Sequence, residues 1–467
     1  MLTHTANGDS RHSFWPRVRE FAVPASMIET AAARRLAGDW AGACAAAGFD
    51  VDLNLRSVAR TYGRELVARL RTDLRGLAPD LLRWHMPRIA PDGLLRPSTT
   101  IALTRYDTAE DDGLGPVQLV VRTPPSWADA GQRISLALWD GTRSEAGARR
   151  HPHPRPSRRF RLDLHRHLWD ARRTGELWIR SGADQLASDQ PPLREVELPE
   201  TVAPGGRCAV DRWAAEAAIL LRAEGRPTDT FSVRLGSRNR LVLELAADKD
   251  GNGPPVLRNA TTPTEGGASA LPVLPDAATW VPPDLELIRT GSITPDRLHP
   301  LVASALLPDH PPLRSPRITD PVGQPRLVEC RGAVHRIGLV DGVLAPLDHD
   351  PAEIGREELL VQLTGTPLPC LQAIDDAHRH PECLADVRAR LDHGDIGGAL
   401  AVVEGLLGPD AVLRGGALRD ELEAAAQRRI TYGLYRAGLT GRAPDRLPPR
   451  KPRPADLRSR PRHMTAR

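Results

Sequence analysis

The spacing of apolar residues changes near residue 100, and this change constrains the fold more than any other feature. Between Leu55 and Leu74, apolar residues recur every three or four positions, as on a helix with one buried face. The segments TIALTRY (100–106), VQLVVRT (117–123) and RISLALW (133–139) then alternate at period two, which is typical of strands. The sequence therefore predicts an α+β protein in which a helical region precedes short antiparallel strands.

The first 92 residues are predicted to be helical. Ser26 and Glu29 have the spacing of a capping box, which would begin one helix. A second helix follows from the stripe of Leu55, Val58, Tyr62, Leu66, Leu70 and Leu74. Gly76 suits the end of that helix, and a short third helix would hold residues 81–84.

The later segments continue the α+β pattern. FRLDL (160–164), a helix near 209–224 and two strand-like runs within 231–245 make a mixed region. Strands within 327–347 form a predicted meander that turns at Gly332 and at Asp341-Gly342. Asp350 and Pro351 then begin a series of helices that continues to about Gly438.

These patterns divide the chain into five parts. We predict an N-terminal helical region (1–92), a mixed α/β region (93–248), a linker (249–283), a domain of β-meander and helices (284–441), and a Pro/Arg-rich tail (442–467). The linker is predicted because its Pro, Gly, Thr and Ala residues show no periodicity. The tail is predicted to be disordered because its composition cannot bury a core.

Charge is concentrated in two basic segments. The chain carries a formal net charge of +4, and residues 442–467 and 149–173 each contribute a net +7. Phosphates attract such runs whatever their sequence, so nucleic-acid or other polyanion contact is one functional hypothesis. A solvated basic loop and a solubilising tail are the alternatives. The candidate contacts are Arg155, Arg158, Arg159, Arg161, Arg450, Lys451, Arg453, Arg458, Arg460 and Arg462.

Cysteine and histidine raise a second hypothesis, a zinc site formed by Cys370, His378, His380 and Cys383. All four side chains are competent zinc ligands. Their spacing nevertheless has no paired CxxC knuckle, and two histidines two positions apart on a helix point in divergent directions. A buried free cysteine and histidines at a helix end are the alternative interpretation.

Calcium is not expected at the loop DKDGNG (248–253). Its first half matches an EF-hand loop, but the twelfth position, where a bidentate glutamate is needed, is Asn259. Signatures of phosphate-binding loops, dinucleotide folds, zinc proteases and serine hydrolases do not occur. Asp348-His349-Asp350 is an acid–base cluster, but Asp350 suits a helix cap, so we lean against an enzyme.

The compartment is predicted to be cytoplasmic. Five scattered cysteines argue against a disulfide framework. The N-terminus lacks the apolar core of a signal peptide, and the most apolar run, 214–221, is far too short to insert into a membrane.

Two short stretches, GDWAGACAAA (38–47) and GDIGGALAVV (394–403), repeat the same pattern. Both resemble the turn between helices in tetratricopeptide-type hairpins, which implies two isolated helical hairpins rather than an array. More broadly, stretches such as APDLLRWHMPR and RRITYGLYRAGL resemble long actinobacterial proteins to which no function is assigned. That resemblance implies a cytoplasmic bacterial protein and transfers no activity, cofactor or catalytic residue.

The leading functional hypothesis is a non-catalytic interaction or regulatory protein that binds a protein partner through its folded body. It needs no cofactor. The partner-binding helix would present Leu418, Leu422, Ile430 and Leu434. The alternatives are nucleic-acid binding by the two basic segments and zinc dependence through residues 370–383.

Overall fold

A computed structural model describes residues 8–107, 116–141, 155–185, 208–225, 229–236, 239–246, 256–260, 271–308, 325–364 and 368–439. Its helices are α1 (Gly8–Phe21), α2 (Ala25–Leu36), α3 (Trp40–Ala46), α4 (Leu55–Gly76), α5 (Pro79–His85), α6 (Leu177–Ser181), α7 (Val210–Glu224), α8 (Asp276–Thr279), α9 (Pro283–Arg289), α10 (Pro300–Leu306), α11 (Pro351–Thr364), α12 (Pro369–Arg379), α13 (Leu384–His393), α14 (Ile396–Leu407) and α15 (Ala417–Ala437). Its strands are β1 (Phe49–Val51), β2 (Arg88–Ile89), β3 (Leu94–Leu95), β4 (Thr100–Tyr106), β5 (Val117–Arg122), β6 (Ile134–Trp139), β7 (Thr230–Arg234), β8 (Arg240–Ala246), β9 (Val256–Asn259), β10 (Arg326–Cys330), β11 (Ala333–Val340) and β12 (Val343–Pro346). Across these ranges, each helix is too short or too polar to cross a bilayer. The α+β class is confirmed.

The predicted stripe of α4 is confirmed as its buried face, and the helix ends at Gly76 as expected. Gly63 has φ +83°, so the helix is interrupted there. The start of α2 differs from the prediction, because the helix begins at Ala25 without a side-chain cap. Pro24 stands at the capping position, and Ser26 lies inside the first turn, where its carbonyl accepts from the Thr30 hydroxyl at 2.8 Å.

Four strands form the central sheet, in the order β1-β6-β5-β4. β4, β5 and β6 are antiparallel and coincide with the three segments that alternate at period two. β1 pairs parallel to β6. At three residues, β1 is too short to show an alternation, and the sequence did not predict it. FRLDL (160–164) contributes only an isolated bridge between Arg161 and Ala102.

The largest core cluster joins the N-terminal helices, the central sheet and helices α9 and α10. Buried polar pairs lie inside it. Arg19 binds Asp284 through Nε at 2.8 Å and Nη2 at 2.9 Å, and His299 Nε2 lies 3.0 Å from Asp80 Oδ2. The described residues therefore place α9 and α10 with this first core, although the sequence suggested a boundary at 284.

A second core forms around α7 and the sheet β7-β8-β9. Parts of the segment predicted as a linker belong to it: β9 pairs with β8, and Leu257, Leu274 and Ala278 are buried there. The prediction is corrected for these residues. Isolated apolar residues between prolines carry no periodicity, so only their tertiary contacts reveal that they pack.

Residues 325–439, which we call the C-terminal unit, contain the predicted meander and the helices that follow it. β10, β11 and β12 pair antiparallel and turn at 331–332 and 341–342, as expected. Helix α12 packs across the meander. The described residues between 368 and 439 form a small helical core, and Cys330, Ile337, Leu368, Cys370 and Ile374 form a smaller one beneath the sheet.

The repeated Gly-Asp stretches build the same turn twice. Gly38 and Gly394 have φ +78° and +88° and end α2 and α13. Asp39 accepts a hydrogen bond from the Gly42 amide at 2.8 Å, and Asp395 accepts one from the Gly398 amide at 2.9 Å. Each turn therefore combines a left-handed glycine with an N-capping aspartate, and the predicted helical hairpins are confirmed locally.

The C-terminal unit contacts the rest of the chain through buried backbone groups. The guanidinium of Arg83 donates to the carbonyls of Ala22, Gln132 and His393 at 2.8, 2.6 and 3.0 Å. Beside it, the backbones of Gly131 and Gly394 approach so closely that a Cβ on Gly394 would lie 2.1 Å from the Gly131 oxygen. We call this contact the junction.

Candidate metal centre

Three potential metal ligands meet beneath the meander. The ligand atoms of Cys330, His349 and Cys370 all lie within 4.8 Å of one another. Both cysteines are fully buried, and the His349 side chain is 3% exposed. Both cysteines are free thiols. Among the described residues, this is the one group of three or more such side chains that converge so closely.

Local structure explains why the ligands meet. Cys330 ends β10, and the tight turn at Arg331 and Gly332, with φ +54° and +78°, leads directly into β11. Arg336 on β11 binds Asp348 through its backbone amide and its guanidinium, both at 2.7 Å, which fixes the segment that carries His349. Cys370 lies in the first turn of α12, on the side that faces the sheet.

His335 lies beside this cluster, next to His349, but it does not belong to the group whose ligand atoms all converge within 4.8 Å. On β11, His335 pairs opposite Val328 of β10, and it therefore lies on the same sheet face as Cys330. Its Nδ1 lies 2.8 Å from His349 Nε2, and the two ring centroids are 4.3 Å apart. Ligands around a tetrahedral zinc ion lie about 3.3 to 3.8 Å apart, given bond lengths of about 2.0 to 2.3 Å. At 2.8 Å these two nitrogens are closer than that, so the imidazoles would have to separate before both could bind one ion.

The ligand chemistry suits a borderline-soft cation. Two thiols and an imidazole are ligands that zinc prefers, and a structural zinc site needs a fourth. Burial, together with the neighbouring Cys330 thiol, raises the pKa of Cys370 to about 11. Without a cation the Cys370 thiol keeps its proton at neutral pH, so a metal that binds here must displace it.

The structure does not assemble the four zinc ligands predicted from spacing. Cys370 belongs to the centre, but His378 lies two turns further along α12 and is buried away from it. His380 is the exposed residue that ends α12, and Cys383 precedes α13 and packs on the helical core. Residues close in sequence diverge here because α12 is a regular helix, whereas the sheet brings distant residues together.

A sequence signal for the observed centre did exist. Cys330 and His335 flank the predicted turn at Gly332, and alternation across a two-residue turn places them on one face. For the cluster 348–350, the sequence pattern indicates acid–base chemistry and no metal ligand. In the structure Asp350 accepts from the Ala352 amide at 2.9 Å, which agrees with the predicted cap, and Asp348 binds Arg336.

Two of the four polyanion candidates in the first basic segment are paired with carboxylates. Arg159 binds the buried Asp276 at 2.6 Å, and Arg161 binds both Asp163 and Glu224. Arg158 and Arg161 line a depression of about 280 Å³, but Glu224 lines it too. Within that segment only Arg155 and Arg158 are exposed candidates. The tail candidates, from Arg450 to Arg462, lie outside the described residues.

The predicted partner-binding helix, α15, is divided between core and surface. Leu418 is fully buried and cannot contact a partner without unfolding, whereas Leu422 is half-buried against the helical core. Ile430 and Leu434 are 57% and 41% exposed. The same helix also binds the rest of the chain, because the Tyr432 hydroxyl donates to Asp50. The loop DKDGNG lies outside the described residues, so the calcium prediction stays a prediction.

No protein family, curated protein or solved structure matches this chain at a significant level.

Proposed function

We propose that this protein is a non-catalytic interaction protein whose C-terminal unit is stabilised by a structural zinc ion. The observation that carries the proposal is the convergence of Cys330, His349 and Cys370, three buried ligands from separate elements. His335, which lies next to His349, would complete a set of four protein ligands. A site closed by four protein ligands leaves no position for a substrate or a reactive water, which suits a structural role.

The small size of the core beneath the meander supports the proposal. Cys330 and Cys370 are two of its five buried residues. Cores of this size rarely hold a fold by apolar burial alone, and small domains commonly add a metal or disulfides. Zinc bound by these thiols would contribute its binding energy directly to the folding of the unit.

The test is the zinc content of the full-length protein, purified under reducing conditions without added metal. We expect about one zinc per chain, and Cys330→Ser and Cys370→Ser should each abolish it. Cys383→Ser and His378→Gln are the matched controls, because spacing alone would make them ligands and the structure does not. Loss of zinc from Cys383→Ser to the same extent as from Cys370→Ser would contradict the proposal, as would failure to bind zinc on titration.

Exposed apolar side chains favour the interaction part of the proposal. On the outer face of the meander, Leu327 and Val334 are 65% and 64% exposed. On α11, Leu359 and Leu363 are 64% and 87% exposed. Apolar groups that are clustered at the surface of a folded protein commonly mark contacts with other proteins.

Cross-linking in cells tests which surface is used. We expect Leu327→Ser with Val334→Ser to remove a specific cross-linked protein that the wild type captures. Ile430→Ser with Leu434→Ser, on α15, is the control pair and should retain it. The reverse result would move the interface to α15.

A further inference from the structure

The two ring nitrogens of His349 have different surroundings. Nε2 lies 2.8 Å from His335 Nδ1. Nδ1 points the other way and lies 3.6 Å from Glu353 Oε2. One ring nitrogen therefore meets the second imidazole, while the other lies beside a carboxylate.

The carboxylate has a second contact that orients it. Glu353 Oε1 accepts a hydrogen bond from Arg331 Nη1 at 2.8 Å, which leaves Oε2 for His349. Arg331 also binds Glu357 through Nη2. Asp350 caps α11, and this fixes the helix start that carries Glu353 four residues after His349.

A metal needs the unprotonated nitrogen of an imidazole. A carboxylate beside Nδ1 favours the tautomer in which Nδ1 carries the proton and Nε2 keeps its lone pair. In the metal-free state, His335 Nδ1–H would then donate to His349 Nε2. For a metal to bind, the two thiols would have to release their protons to solvent, and His335 could join the site only if its proton moved to Nε2 of its own ring.

This inference rests on the proposed zinc site: we propose that Glu353 is the residue that positions the ligand His349. Glu353 holds His349 in the tautomer and orientation that ligate, and by the same contact it ties helix α11 to the metal centre. Glu357 shares the helix and the arginine but does not reach His349, so it serves the structure of α11 only.

The experiment measures zinc affinity of the full-length protein by competition with a chromophoric chelator. We expect Glu353→Ala to weaken zinc binding about 10- to 100-fold, as loss of such outer partners typically does. Glu353→Gln keeps a neutral acceptor and should fall between Glu353→Ala and the wild type. Glu357→Gln is the matched control and should stay within about twofold of the wild type.

Cobalt spectra distinguish positioning from loss of a ligand or of the fold. Co²⁺ in Glu353→Gln should keep the intense visible bands of a tetrahedral thiolate site, whereas His349→Ala should lose or shift them. Equal weakening by Glu353→Gln and Glu357→Gln would mean that both act by docking α11, and would overturn the inference. Unchanged affinity in Glu353→Ala would overturn it while leaving the zinc site intact. A wild-type protein that binds no zinc would overturn both.

Discussion

The central sheet and the C-terminal meander contain antiparallel strands of similar length, yet they are buried very differently. In β4, six of seven residues are buried, whereas in β11 only Ile337 of eight residues is. The central sheet packs into the largest core, with helices of both the N-terminal region and residues 283–306. The meander has five buried residues beneath it.

The difference suggests two ways of stabilising a sheet in one chain. Apolar burial, at about 25 cal/mol per Å², can hold the central sheet because both its strands and its helices contribute large side chains. The meander lacks that area, and the buried side chains that it does have include two thiols close to two imidazoles. A bound metal would supply the meander with the stabilisation that apolar burial does not.

The largest effect is expected from Asp284→Ala in the first core. It would remove the two hydrogen bonds from the Arg19 guanidinium to the Asp284 carboxylate and the acceptor of the Trp84 indole. The arginine charge would then stay buried without a counter-charge, with the Trp84 carbonyl as its remaining acceptor. We expect a loss of about 3 to 5 kcal/mol in the free energy of unfolding, measured by denaturant titration. Glu423→Ala breaks an exposed pair with Arg419 in the C-terminal unit and should leave stability unchanged. Similar losses of unfolding free energy in the two variants would contradict the difference in stabilisation between the first core and the C-terminal unit.

Removal of the metal should affect the meander and leave the central sheet unchanged. Chelation should raise hydrogen exchange of the meander amides and leave the central-sheet amides protected. For free zinc at 100 to 1,000 times its dissociation constant, the stabilisation lost is about 2.7 to 4.1 kcal/mol. Exchange that rises equally in both sheets would show that they unfold as one unit. Exchange that changes in neither would argue against a structural metal.

The two Gly-Asp turns allow the same substitution in two environments. Gly38→Ala meets no atom within 4 Å and should cost about 1 kcal/mol, the price of a left-handed alanine. Gly394→Ala carries the same strain, and its Cβ would also clash with the Gly131 oxygen at the junction. We expect about 2 to 4 kcal/mol for Gly394→Ala by thermal or denaturant unfolding. Equal losses would show that the junction opens easily.

Acid should lower the stability of the first core and of the junction, because each contains a buried histidine. Burial lowers the pKa of both His85, in the first core, and His393, at the junction, to about 3. The unfolded chain binds these protons near pH 6.5, whereas the folded chain does not until about pH 3. Stability is therefore complete above pH 6.5 and falls as the pH drops from 6.5 toward 3, by up to about 1.4 kcal/mol per pH unit for each histidine.

His393→Gln should remove the contribution of one histidine from the pH dependence of the free energy of unfolding. Unfolding free energies between pH 7 and pH 5 would show a shallower slope for this variant than for the wild type. His85→Gln should flatten the slope to a similar degree. A slope unchanged in both variants would mean that other groups dominate acid unfolding.

Much of the secondary structure was predictable from local patterns. The α4 stripe, the three period-two strands, the meander turns and the two Gly-Asp hairpins rest on spacing, turn residues and caps, which act within a few residues. The start of α2, the short strand β1 and the packed part of the supposed linker were not predictable in this way. Each depends on a neighbour distant in sequence, or on a segment too short to have a period.

The sequence by itself determined which side chains were available: five free cysteines, histidines near strand ends, and glycines where the chain turns left-handed. It did not determine which of them meet. Spacing pointed to Cys370 with His378, His380 and Cys383, because those residues are close along the chain. The tertiary structure instead brought Cys370 to Cys330 and His349, with His335 beside His349, because sheet pairing and the packing of α12 join residues up to forty positions apart.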